Sequence, residues 1–115
     1  MLYFPYMENE DHLDAVFMAL ADQRRRAMLA ELAAGPRSIG DLANLGGWRM
    51  SAASKNVAVL EAAGLVLKSR QGREVYCHMN FDAWRAVASY IALHAKFWAG
   101  RLDELEAYIK EAGGE

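Results

Sequence analysis

Two short stretches hold most of the side chains that could recognise another molecule. In RMSAASKN, residues 49–56, the donors and cations are Arg49, Ser51, Ser54, Lys55 and Asn56. No carboxylate occurs from Asn44 through Leu60, although the chain has 15 acidic residues. In KSRQGRE, residues 68–74, Lys68, Arg70 and Arg73 flank a glycine. Both stretches suit contact with an anion. A surface that meets phosphates and electronegative base edges repels carboxylates, and small side chains on it permit close approach. The opposing interpretation is a small-residue helix packed in the core and a hairpin whose basic tip is merely solvated. Finding both features in this order favours the anion.

Other chemistry has less support. No nucleophile lies beside a base, no carboxylate pair sits in an apolar setting, and no glycine loop could cradle a phosphate, so an enzyme is not expected. Cys77 and His78 are adjacent on an expected strand and point to opposite faces, which is poor geometry for one metal. Cys77 is expected to be a small buried hydrophobe. His94 has Phe97 and Trp98 at i+3 and i+4 and fits an interface better than a ligand set. No metal or cofactor is expected. Arg24, Arg25 and Arg26 open a helix at its positive end, where the macrodipole disfavours cations. They are expected to be solvated or paired to Asp22 and the acidic first helix, in preference to holding a partner anion.

The elements that must position these residues follow from periodicity. DHLDAVFMALA, 11–21, puts Leu13, Val16, Phe17 and Leu20 on one stripe. Asp22 then reads as the N-cap of a second helix closed by Gly35. SIGD, 38–41, has the form of a capping box and opens a short helix that Gly46 and Gly47 end. From Met50 the spacing Met50, Ala53, Val57, Leu60 predicts a helix over about 49–63 with Met50 on its buried stripe. Gly64 stops it. LVLKSR and REVYCHMN alternate as strands joined at Gln71-Gly72. From Asp82 to about Glu111 a long helix carries Trp84, Val87, Ile91, Ala95, Trp98, Leu102, Leu105 and Ile109 at three- and four-residue spacing. The sum is a mainly α fold with a small β-hairpin: a winged helix-turn-helix.

Composition sets the frame. The 115 residues are one domain's worth, and 54% hydrophobic content exceeds what so small a core needs alone, which points to an apolar subunit interface. Residues 1–10 read as an N-terminal extension to a domain over 11–115, and Met7 is an alternative start. The net charge of −2 hides a segregation: residues 1–22 carry −5, residues 23–80 carry +5 and residues 81–115 carry −2. Partner binding follows the local patch more than the sum. One cysteine excludes an internal disulfide. Neither an apolar run of about 18 residues nor a signal-peptide pattern is present, so a cytoplasmic chain with no membrane contact is expected.

ALADQRRRAMLAELAAGPRSIGDLA, SKNVAVLEAAGLVLKSRQGREVYCHMN and FWAGRLDELEAYI together resemble the ArsR family of bacterial winged-helix repressors, in its branch with an extended aromatic last helix. The resemblance covers about residues 13–110. It implies a homodimer paired through the first and last helices, with Phe17, Trp84, Ile91, Trp98, Leu102 and Leu105 at the interface, bound to double-stranded DNA at a dyad-symmetric operator. It also implies DNA contact by Arg49, Ser51, Ser54, Lys55, Asn56, Lys68, Arg70 and Arg73. The family's SKH on the recognition helix is here Ser54, Lys55, Asn56. Arg49 stands where a capping Ser is usual, so either Ser51 caps a shorter helix or Arg49 contacts phosphate. The metal-sensing constellations of the family are missing, since residues 38–64 hold neither Cys nor His. Two alternatives stay open: an interaction module that docks an acidic protein, and a regulator gated by an unidentified apolar effector among the aromatics between protomers.

Overall fold

The computed structural model describes residues 10–113, the side chains of Glu10 and Asp11 excepted. The expected extension over 1–10 therefore lies outside the described residues apart from Glu10, which opens the first helix. In chain order the elements are α1 Glu10–Leu20, α2 Gln23–Leu32, β1 Arg37–Ser38, α3 Ile39–Gly46, α4 Met50–Ala62, β2 Val66–Gln71, β3 Glu74–Met79 and α5 Phe81–Gly113.

Arg24, Arg25 and Arg26 explain how α1 hands over to α2. The last carbonyls of a helix have no intrahelical donor. Arg25 donates from Nε to the Ala19 carbonyl at 2.8 Å and from Nη2 to that of Met18 at 2.9 Å, and Arg26 Nη1 donates to the Leu20 carbonyl at 2.8 Å. Asp22 caps α2 as expected, accepting from the backbone N–H of Arg24 and Arg25 and from the Arg24 guanidinium. The triplet thus sits unfavourably at the positive end of α2, but Arg25 and Arg26 sit favourably on the negative end of α1, and Arg24 is paired to Asp22. The end of α2 differs from expectation: it stops at Leu32 with Ala33 as cap, two residues before Gly35.

β3 is the middle of a three-stranded antiparallel sheet in the order β1-β3-β2, with Lys68 opposite Cys77 and Arg37 also opposite Cys77 across the other edge. The two-residue β1 was not expected from the sequence. The core gathers Met28, Leu32, Leu42, Val57, Leu60 and Leu65 between the helices and the sheet. Cys77 is fully buried in it, and burial pushes its thiol pKa up. His78 is on the other face, with Nε2 2.7 Å from Ser69 Oγ in a hydrogen bond. The stripe on α1 divides: Leu13 and Val16 are buried, while Phe17 stays 43% exposed. On α5 only Ala83 and Val87 are buried, and Trp84 packs partly against the core. Every residue from Ile91 to Gly113 is exposed.

Candidate nucleic-acid interface

The turn between α3 and α4 sets the angle of the site. α3 begins at a capping box in which Asp41 N–H donates to Ser38 Oγ at 3.0 Å and Ser38 N–H donates to Asp41 Oδ2 at 3.4 Å. It ends in a Schellman motif: Trp48 N–H reaches the Ala43 carbonyl at 2.9 Å, Gly47 N–H reaches that of Asn44 at 3.3 Å, and Gly47 takes φ +67°. A side chain at Gly46 would collide with the Trp48 ring, so glycine there lets Trp48 fold back over the turn. Arg49 is then the N-cap of α4, without a side-chain capping bond. This decides between the two starts left open by the sequence. Ser51 lies inside the first turn, and the Arg49 side chain is exposed.

Ser51, Ser54 and Lys55 lie exposed on α4, as the sequence predicts. Asn56 does not. It is 7% exposed, its Nδ2 donates to the Ala52 carbonyl at 3.0 Å, and its Oδ1 accepts from Arg25 Nη1 at 3.0 Å. At about 100° per residue it falls some 60° from the buried Ala53, at the edge of the core-facing arc on the side of Leu60, where Arg25 meets it. Met50 shows the opposite correction. Expected on the buried stripe, it is 56% exposed, because it stands at the first turn and at the edge of that arc.

The hairpin supplies the other wall. Gln71 pairs with Glu74, so the two-residue turn is Gly72-Arg73 and not Gln71-Gly72. Gly72 takes φ +64° and, among the described residues, no non-glycine residue has positive φ, which is the φ pattern of a type II′ turn. Arg70 and Arg73 are exposed, but Lys68 is engaged: its Nζ lies 3.1 Å from Glu61 Oε1 at the far end of α4. Among the described residues, Arg49, Lys55, Arg70 and Arg73 have no ion-pair partner. Between the walls runs a groove lined by Ser38, Ile39, Gly40, Asp41 and Asn44 from the α3 side, Met50 and Ser54 from α4, and Arg73, Glu74 and Val75 from the hairpin. Two carboxylates border it. Asp41 is held by the capping box, and Glu74 stands next to Arg73.

A second surface lies on α1 and α5. Ile91, Trp98, Leu102 and Leu105 are exposed, as are Phe97 and Ile109, while Trp84 is half-buried with an Nε1–H that has no acceptor among the described residues. Leu93, His94, Phe97 and Trp98 line a shallow apolar hollow on α5. Among the described residues no group of three or more His, Cys, Asp or Glu could hold a metal ion, and no helix is long and apolar enough to cross a membrane.

A helix-turn-helix domain family matches residues 20–68. No curated protein matches the chain. Among solved structures it is similar to an ArsR-like transcriptional regulator from Rhodococcus sp. RHA1, with 27% identity, TM-score 0.71 and coverage of 87% of this chain and 94% of that one. It is also similar to a possible transcriptional regulatory protein, fragment 1–100, from Mycobacterium bovis, with 32% identity, TM-score 0.61 and coverage of 77% and 92%. The NMR structure of a homodimeric winged helix-turn-helix DNA-binding domain from Mycobacterium bovis, a possible ArsR-family regulator, matches at 32% identity and TM-score 0.60, covering 82% of this chain and 84% of that one. Capped helix-turn-helix, basic hairpin and these relatives agree: the chain belongs to the ArsR family of winged-helix, DNA-binding transcriptional regulators.

Proposed function

We propose that the protein is a homodimeric repressor that pairs through α1 and α5 and binds a dyad-symmetric operator, with α4 in the major groove and the hairpin on the backbone or minor groove. The observation that carries this reading is the juxtaposition, across one groove, of an exposed, donor-bearing α4 face with Arg73, while Arg70 is exposed on the same hairpin. Ser51, Ser54 and Lys55 reach base edges, and Arg49, Arg70 and Arg73 neutralise phosphate. Lys68 and Asn56 leave the contact set, since each already has an internal partner. The Mycobacterium bovis homodimer supports the pairing, as does the apolar run on α5.

Four bases on this face have no ion-pair partner among the described residues, Arg49, Lys55, Arg70 and Arg73, and they set its electrostatics. If three or four of them meet phosphates, a dimer releases counterions from about six to eight sites, and log K against log salt should fall with a slope of about −5 to −7. The test is a titration of selected operator and random duplex at several salt concentrations. A slope near zero, or equal affinity for all duplexes, sinks the reading and leaves the acidic-protein module in its place. The hollow at Leu93, His94, Phe97 and Trp98 favours one addition, an apolar effector held between protomers. Native mass spectrometry of protein purified from its own host checks it: a retained small molecule supports the effector, and a bare dimer removes it.

A further inference from the structure

We propose that Met50 determines part of the sequence specificity by seating against the C5 methyl group of a thymine in the major groove. The inference deepens the reading of α4 as the groove helix and rests on it. Met50 is the first residue of α4 and more than half exposed. It lines the groove together with Ser54, one turn further along α4, and Asn44 of α3. Positions i and i+4 share one line along a helix, so Met50 and Ser54 address neighbouring points of whatever lies in front of them. In a helix-turn-helix the N-terminal residues of the second helix are the ones that meet base edges.

The chemistry at that point is apolar. Each base pair offers donors and acceptors in the major groove, and the thymine methyl is the only apolar group there. A thioether pressed on a carbonyl or amino edge would strip it of water without returning a hydrogen bond. Against a methyl the same contact removes apolar surface from both partners. Methionine suits the task because its unbranched, polarizable chain adapts to a small target. Ser54 then supplies polar reading one turn away, so the pair would prefer a thymine beside a base with a free acceptor or donor.

The experiment starts from a duplex pool of random sequence, from which the full-length protein enriches its site. Each thymine of that site is then replaced in turn by deoxyuridine, which lacks only the methyl. For the unaltered protein, a single such replacement at one position of either half-site should weaken binding roughly four-fold, the effect of re-exposing about one methyl group. Met50→Ala should bind the thymine and deoxyuridine duplexes equally while keeping its affinity for random DNA. Met50→Gln, polar and of similar length, should behave likewise and covers the case in which the alanine variant does not fold. Indifference of the unaltered protein to every deoxyuridine overturns the proposal, as does an enriched site with no fixed thymine or a methyl effect that persists in both variants. Each of those results leaves groove binding by Ser54 and Lys55 intact. Failure to enrich any site overturns groove reading by α4 as well.

Discussion

Ser54 and Asn56 are two residues apart on α4, and their substitutions should fail in different ways. Ser54 is exposed, so Ser54→Ala should leave stability nearly unchanged and cost roughly 1–3 kcal/mol per half-site on operator alone. Asn56→Ala removes the acceptor of a buried contact with Arg25 and should destabilise the fold by roughly 1–3 kcal/mol, with binding to operator and random DNA falling together as α4 loses its brace. Thermal unfolding beside DNA titration separates the two, and a stable Asn56→Ala protein with operator-selective loss would return Asn56 to the base-reading set. Asp22 makes a prediction in pH. The Arg24 guanidinium bonded to it, aided by the backbone N–H groups of Arg24 and Arg25 and opposed by partial desolvation, holds its pKa at about 2 against an ordinary 3.8. A carboxylate depressed on folding stabilises above its unfolded pKa, and that contribution is lost as pH falls through the folded value. The unfolding temperature should therefore drop between pH 3.8 and about 2, and Asp22→Asn, which can still cap, should flatten that part of the curve. An unchanged acid limb in the variant would contradict it.

At the scale of elements, the proposed function divides the labour between the hairpin and α4. Arg70 stands just before the turn and Arg73 within it, beside the positive-φ Gly72, and neither has an ion-pair partner among the described residues, which suits the contact with the DNA backbone proposed for them. Changing both to Ala should weaken binding to operator and random duplex alike and flatten the salt slope by roughly two to four units, as four lost contacts per dimer allow up to about 0.9 each. No change in slope would remove the wing from the interface. The helices, the hairpin and the long α5 were legible because each repeats its signal over many residues. Capping at Asp22 and Ser38 was legible from residue type and spacing. β1 was not, since two residues carry no period and Arg37–Ser38 becomes a strand only by lying beside β3. Met50 and Asn56 were exchanged for a related reason. Spacing places Met50 on the buried stripe and residue type places Asn56 outside it, yet the two lie at similar angles on either side of Ala53, and an asparagine turns inward when an arginine from another helix meets it. Arg25 reaches it from α2, 31 positions away in the chain, and nothing local to α4 announces that bond.

The whole molecule is 68 Å in its longest dimension, with a radius of gyration of 18.7 Å against about 13 Å for an ordinary domain of this length. The excess is α5: at 33 residues it runs about 50 Å, and past Ile91 its exposed apolar side chains touch no core. A second copy is the cover proposed for it. Leu102→Glu or Trp98→Ala should give a monomer of low stability, since truncating a Trp buried between protomers costs roughly 3–5 kcal/mol and folding is then no longer supported by association. Sedimentation of both variants as intact dimers would exclude this face from the pairing.

The bare length of α5 also bears on how sharply a gene under this protein could switch. Where two chains must meet before either can hold an operator, occupancy rises with the square of chain copy number until dimers dominate, and with the first power above that. Dilution during growth would then release a promoter more abruptly than a one-chain binder could, with no effector needed. Operator binding followed down to protein concentrations below the dimer dissociation constant should show a limiting log-log slope of two. A slope of one throughout would mean that single chains bind, and that the apolar face of α5 serves something other than dose response.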